Sequence, residues 1–172
     1  MKTVEHDLIK DRIASLDLEP IKFKLVKEQA LTEDQVLILE KWYRRFLFLT
    51  FKHKEQPIVV SQAIDNFWHQ HILDTRKYAD DCRAAFGEFL HHFPYFGLRG
   101  DEDQRALRLA YQTTLKFMRD EYGETPEDDF KVFGSADATA AELPSLCSDG
   151  GLIKGARSYF DQRPRLTRDV SM

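Results

Sequence analysis

The sequence predicts a mainly α domain: a single orthogonal bundle of about four to six helices, followed by an irregular C-terminal tail. Two observations carry that prediction. Apolar residues recur at three- and four-residue spacings through most of the first 125 positions, and capping side chains and glycine stops bracket those stretches. The chain has 172 residues, 42% hydrophobic and 31% charged, with thirteen Phe, six Tyr and two Trp. That suffices for one domain with its own core.

Residues 3–17 read as the first helix, with Val4, Leu8, Ile9, Ile13 and Leu16 on one stripe, and Pro20 interrupts it. Residues 21–29 mix two periods: Ile21, Phe23 and Leu25 alternate like a strand, while Ile21 and Leu25 also suit a short helix, the reading adopted here. Thr32 to about His53 is the clearest helix, with Thr32 and Gln35 as a capping box and Val36, Leu39, Tyr43, Phe46, Leu47 and Thr50 on the inner face. Lys41, Arg44, Arg45 and Lys52 then form an outer, solvated basic face. Ser61 is the N-cap of a further helix to roughly Ala85, stopped by Gly87. An aromatic connector, His91-His92-Phe93-Pro94-Tyr95-Phe96-Gly97, leads to a last helix from Asp101 to about Tyr122, with Leu107, Ala110, Tyr111, Leu115 and Met118 inward. Residues 1–125 are therefore expected to form the histidine-rich helical domain, and residues 126–172, where periodicity fails, a loosely packed or partly disordered extension.

Charge excludes some functions. The net charge is −4, and residues 1–60, 61–122 and 123–172 carry 11, 8 and 6 basic against 10, 10 and 9 acidic side chains. No segment is basic enough for a nucleic-acid or anionic-membrane footprint. No stretch approaches the ~18 apolar residues needed to span a bilayer. Two distant cysteines, Cys82 and Cys147, and an N-terminus without an apolar run point to a cytoplasmic protein.

Chemistry concentrates between Asp65 and His92. Four of the six histidines, His69, His71, His91 and His92, fall there with Asp65, Asp74, Asp80, Asp81 and Cys82. These are the side chains that bind first-row transition metals. At about 100° per residue, Asp65 and His69 share a helix face, whereas His71 lies nearly opposite and joins Trp68, Thr75 and Tyr78. The preferred arrangement pairs Asp65 and His69 and takes a third ligand from the His91-His92 connector. In the other, His71 faces the connector. Either would hold zinc or iron and leave positions open, as catalytic metal sites do. The spacing is neither a zinc finger nor an HExxH helix, and histidines beside Trp68, Phe93 and Tyr95 also suit ordinary half-buried rings. Cys82 follows two aspartates, which raise its pKa, and reads as a core residue. No nucleophile elbow, phosphate loop or Rossmann fingerprint occurs, so catalytic residues are left unassigned.

The run Ile64-Asp65-Asn66-Phe67-Trp68-His69-Gln70-His71, continuing through Asp74, Tyr78 and Asp81-Cys82 to Phe86-Gly87 and the connector, resembles the glycine-rich domain-containing protein-like family, over about residues 16 to 125. Pro20–Leu25 and Tyr43–Leu47 resemble its bacterial members. The resemblance maps the family motif onto Asp65, Trp68, His69, His71, Tyr78 and Cys82, then Gly87, Leu90 and His92. It thereby implies His92 rather than His91 as the third imidazole. Plant relatives carry a glycine-rich segment, but this chain has eight glycines and no such tract, so it implies no physiological role and no reaction.

Two functions compete. One is a metal-binding domain, a metalloenzyme in its sharper form, built on Asp65, His69 and His92 with His71 or His91 as an alternate or outer partner. The other is a non-catalytic protein-interaction module using Phe93-Pro94-Tyr95-Phe96 and the tail, with structural histidines. An iron and 2-oxoglutarate oxygenase would use the same ligand types, but that chemistry is expected on a β-rich fold.

Overall fold

The elements run α1 (Lys2–Ala14), α2 (Glu19–Gln29), α3 (Glu33–Lys52), α4 (Gln62–Leu73), α5 (Thr75–Phe86), α6 (Asp101–Tyr122) and α7 (Pro126–Asp129). They come from a computed structural model that describes residues 2–130, and among those residues there is no strand. The mainly α prediction is met.

Helix α3 is central, with α1, α2, α4 and α6 packed on it. Thr32 and Gln35 form the predicted capping box, the Thr32 hydroxyl accepting from the Gln35 amide at 3.2 Å. Its second half is buried on nearly all sides: Trp42, Tyr43, Phe46, Leu47, Phe48, Leu49, Thr50 and Phe51 are all core. A helix apolar all round must be enclosed by its neighbours, which is how a chain of this size gains one continuous core.

The ambiguous segment after Pro20 is helical. Pro20 lies in the first turn of α2, where its missing N–H costs nothing. Ile9 and Ile13 of α1, and Leu16 just beyond its end, face the core as expected, but Val4 and Leu8 are exposed. The helix read from Ser61 to Ala85 is two helices. Asp74, at φ −85° and ψ 74°, ends α4, and its carboxylate caps α5 by accepting from the Lys77 amide at 3.4 Å. An aspartate can cap as well as a glycine can stop.

The basic residues of α3 are not a solvated face. Lys41 pairs with Asp129 at 2.7 Å, Arg45 with Glu124 at 2.8 Å and Lys52 with Glu121. Arg44 pairs with Glu40 at 2.6 Å and donates to the carbonyls of Ile13 and Leu16. They tie α1, α6 and α7 to α3. Trp42 Nε1 also donates to Asp129 at 2.9 Å, and Phe130 is buried. The rest of the expected tail, with Cys147 and Gly150-Gly151, lies outside the described residues.

The connector between α5 and α6 is drawn inward. Phe93 and Phe96 are each 2% exposed and belong to the core, and Tyr95 packs against it. Of the Phe93-Pro94-Tyr95-Phe96 run assigned to the interaction module, the two phenylalanines are therefore core rather than docking surface. Gly97 has φ +92°, a backbone conformation that favours glycine, and a Cβ there would stand 2.6 Å from Leu107 Cδ2 and displace that side chain. Among the described residues no helix is long and apolar enough to cross a membrane.

Candidate metal centre

One carboxylate organises the site. Asp65 lies in the first turn of α4 and is 2% exposed. Its Oδ2 is 3.0 Å from His69 Nδ1, one helical turn on, and its Oδ1 is 3.1 Å from His92 Nε2 on the connector. The two imidazole centroids are 4.5 Å apart at 61°, and the Trp68 ring backs His92 at 4.7 Å. Ligand atoms from Asp65, His69 and His92 all lie within 4.8 Å of one another.

These donors suit a metal chemically. Two imidazoles and a carboxylate are ligands for zinc and for non-haem iron. Tetrahedral zinc, at about 2.0–2.1 Å from each ligand, places its donors about 3.4 Å apart. The two nitrogen–carboxylate distances are shorter by a few tenths of an ångström, as hydrogen bonds should be. An ion would take the place of the protons that Asp65 now accepts, with small movements of the rings. His69 Nδ1 also lies 2.8 Å from the Asp65 carbonyl oxygen. A single N–H is thus shared between two acceptors and must leave if Nδ1 ligates. The His69 side chain is 44% exposed, against 10% for His92, so the site opens to solvent on the His69 side.

The other expected site residues lie elsewhere. His71, 1% exposed, points to the far side of α4. Its Nδ1 is 2.9 Å from the Tyr43 hydroxyl and its Nε2 is 2.9 Å from Asp81 Oδ2, which also pairs with Lys77 at 2.9 Å. A carboxylate only accepts, so Nε2 carries the proton and Nδ1 accepts from Tyr43. Both nitrogens are thereby engaged. Burial pushes the His71 pKa down, against the pull of Asp81, and keeps the ring neutral. His91 is exposed and packs on Phe89 at 4.9 Å. Asp80 pairs with Arg83 on the surface at 2.8 Å, and Asp74 is a cap. Cys82 is a buried core residue; its thiol pKa is raised chiefly by burial, with Asp81 a minor cause.

The structure also shows contacts that spacing did not reveal. Trp68 Nε1 donates to the Tyr78 hydroxyl at 2.9 Å, and that hydroxyl donates to the Leu90 carbonyl at 2.6 Å. The general signal was available: a buried Tyr or Trp needs a partner for its polar tip. The sequence does not say which partner.

The hydrogen bond that His69 donates to the Asp65 carboxylate raises the His69 pKa above 6.5, while burial opposes it. A raised folded-state pKa stabilises the folded form fully below about pH 6.5, and that contribution fades as pH climbs through the raised value. In chelator-treated protein, His69→Gln should therefore lower Tm more at about pH 5.5 than at about pH 8.5. An equal loss at both values, measured by thermal melts in matched buffers, would contradict this.

Fold and site together define a mainly α protein with, among the described residues, an Asp/His/His group where α4 meets the connector. The chain belongs to the UCP032817-like family, whose model matches residues 10–121. This corrects the resemblance to the glycine-rich domain-containing protein-like family, which no comparison supports. The physical reason is that many of the residues behind that resemblance, Trp68, Tyr78, Cys82, Leu90 and Phe93, are buried. Their pattern reports how a helical core is packed, and such packing is not peculiar to one family. No curated protein and no solved structure matches the chain.

Proposed function

We propose that Asp65, His69 and His92 bind a divalent transition metal, zinc or iron, and that the site is that of a metalloenzyme. The observation that carries this reading is a single buried carboxylate holding imidazoles from two separate elements within 4.8 Å. Three protein ligands leave coordination positions for water or substrate, and the exposed edge of His69 supplies the approach. A metal bound there would act as a Lewis acid or activate water. The protein's own part is to fix the rings, to supply one negative charge and to wall His92 off with Trp68.

Elemental analysis of protein purified without an affinity tag tests the proposal, followed by thermal melts with added zinc, iron(II) or cobalt(II). Close to one equivalent of metal is expected. Saturation at a hundred times Kd adds about 2.7 kcal/mol, which is roughly 5–10 °C in Tm for a chain of this size. Less than about 0.1 equivalents, with no rise in Tm on supplementation, would remove the proposal.

A further inference from the structure

The three candidate ligands come from two elements of unlike rigidity. Asp65 and His69 sit on α4, one turn apart, and the helix fixes their spacing. His92 sits in the connector after Gly87, where no helix imposes a position. Something else must hold it within reach of Asp65.

Tyr78, on α5, is hydrogen-bonded to residues that flank the two imidazoles in sequence, Trp68 before His69 and Leu90 before His92. Its hydroxyl accepts from Trp68 Nε1 at 2.9 Å and donates to the Leu90 carbonyl at 2.6 Å. Trp68 immediately precedes His69 and packs its indole against the His92 ring at 4.7 Å. Leu90 lies two residues before His92 and is 1% exposed. Cys82, one turn after Tyr78, lies against the same Leu90 backbone. A phenol that both accepts and donates in a buried setting has its single proton committed, so the bridge has one direction and one geometry.

We infer that Tyr78 is the positioning residue of the metal centre, setting His92 against Asp65 through Trp68 and Leu90. This rests on the metal-binding reading above. Outer partners of metal ligands matter because they restrict the ligand to the productive orientation, and losing one typically costs 10–100-fold in metal affinity.

Tyr78→Phe removes the hydroxyl and keeps the ring. Tyr43→Phe is the matched control, because it deletes an equally buried hydroxyl, the one that faces His71 on the other side of α4. Wild type and both variants are titrated with cobalt(II), following the visible absorption of the bound ion. Tyr78→Phe should bind 10–100-fold more weakly with a changed spectrum. Tyr43→Phe should lose stability but stay within about threefold of wild-type affinity with the same spectrum. Should Tyr78→Phe not fold, Trp68→Phe removes the indole donor to that same hydroxyl and carries the same expectation. Wild-type affinity and spectrum in a folded bridge variant overturn the inference, as does an equal loss in Tyr43→Phe. Wild-type protein that binds no cobalt fails earlier, at the metal-binding reading itself.

Discussion

Asp65→Asn is expected to weaken zinc or cobalt binding by more than about 100-fold while leaving a folded protein. The figure is a lower bound, because 10–100-fold is the usual cost of losing only an outer partner, and Asp65 supplies a ligand atom and the charge of the site. An amide oxygen is a poorer donor, and its NH2 end cannot accept from an imidazole. In the metal-free state Asp65 accepts from His69 at 3.0 Å and from His92 at 3.1 Å. Disturbing a buried acceptor should cost about 1–3 kcal/mol, a loss that a thermal melt in chelator registers separately. Affinity by competition titration then decides between the two roles of Asp65. A variant that melts lower but keeps its metal affinity would mark the carboxylate as a structural acceptor of two ordinary histidines. A variant that melts almost normally and binds no metal would mark it as a ligand.

What was legible in advance follows from what helical geometry fixes. The Asp65–His69 pair and the opposed direction of His71 both follow from about 100° per residue, and the structure shows both. The inner face of α6 was legible for the same reason, since all five named residues are buried. The connector was not. Periodicity says nothing about a segment without regular structure, so its aromatic residues looked exposed, yet Phe93 and Phe96 are core. The choice between His91 and His92 is a matter of one residue in such a segment, and spacing alone left it open. The basic stripe of α3 misled because its partners, Glu121, Glu124 and Asp129, are about 70–90 residues away in the chain. The break at Asp74 was missed because the apolar pattern passes through it. The capping carboxylate, a signal as good as Thr32, sits inside that pattern rather than at its edge.

Asp103→Ala should produce the largest loss of stability among the single changes considered, because it unties the connector at its far end. Asp103 is 6% exposed in the first turn of α6, where a negative charge is favoured by the helix dipole. It accepts from the amides of Gly97 at 2.7 Å and Arg99 at 3.1 Å, and it grips the Arg99 guanidinium through both oxygens, at 3.1 and 2.6 Å. That guanidinium lies 5.1 Å over the Phe93 ring, next in sequence to His92. The alanine variant removes the carboxylate from a largely buried positive charge and from two backbone amides in the same step. Breaking one side of such a pair costs about 3–5 kcal/mol, or roughly 6–20 °C in Tm for this chain length. Asp101→Ala, an exposed carboxylate in the same first turn, should stay within about 0.5 kcal/mol of wild type. Replacing both partners, Asp103→Leu with Arg99→Met, should recover part of the loss, because an apolar pair of similar volume leaves no uncompensated charge. If Asp103→Ala melts no lower than Asp101→Ala, the connector is held by its buried phenylalanines and the carboxylate clamp adds nothing. If it melts far lower, the placement of His92 depends on an ion pair eleven residues further along the chain as well as on Tyr78.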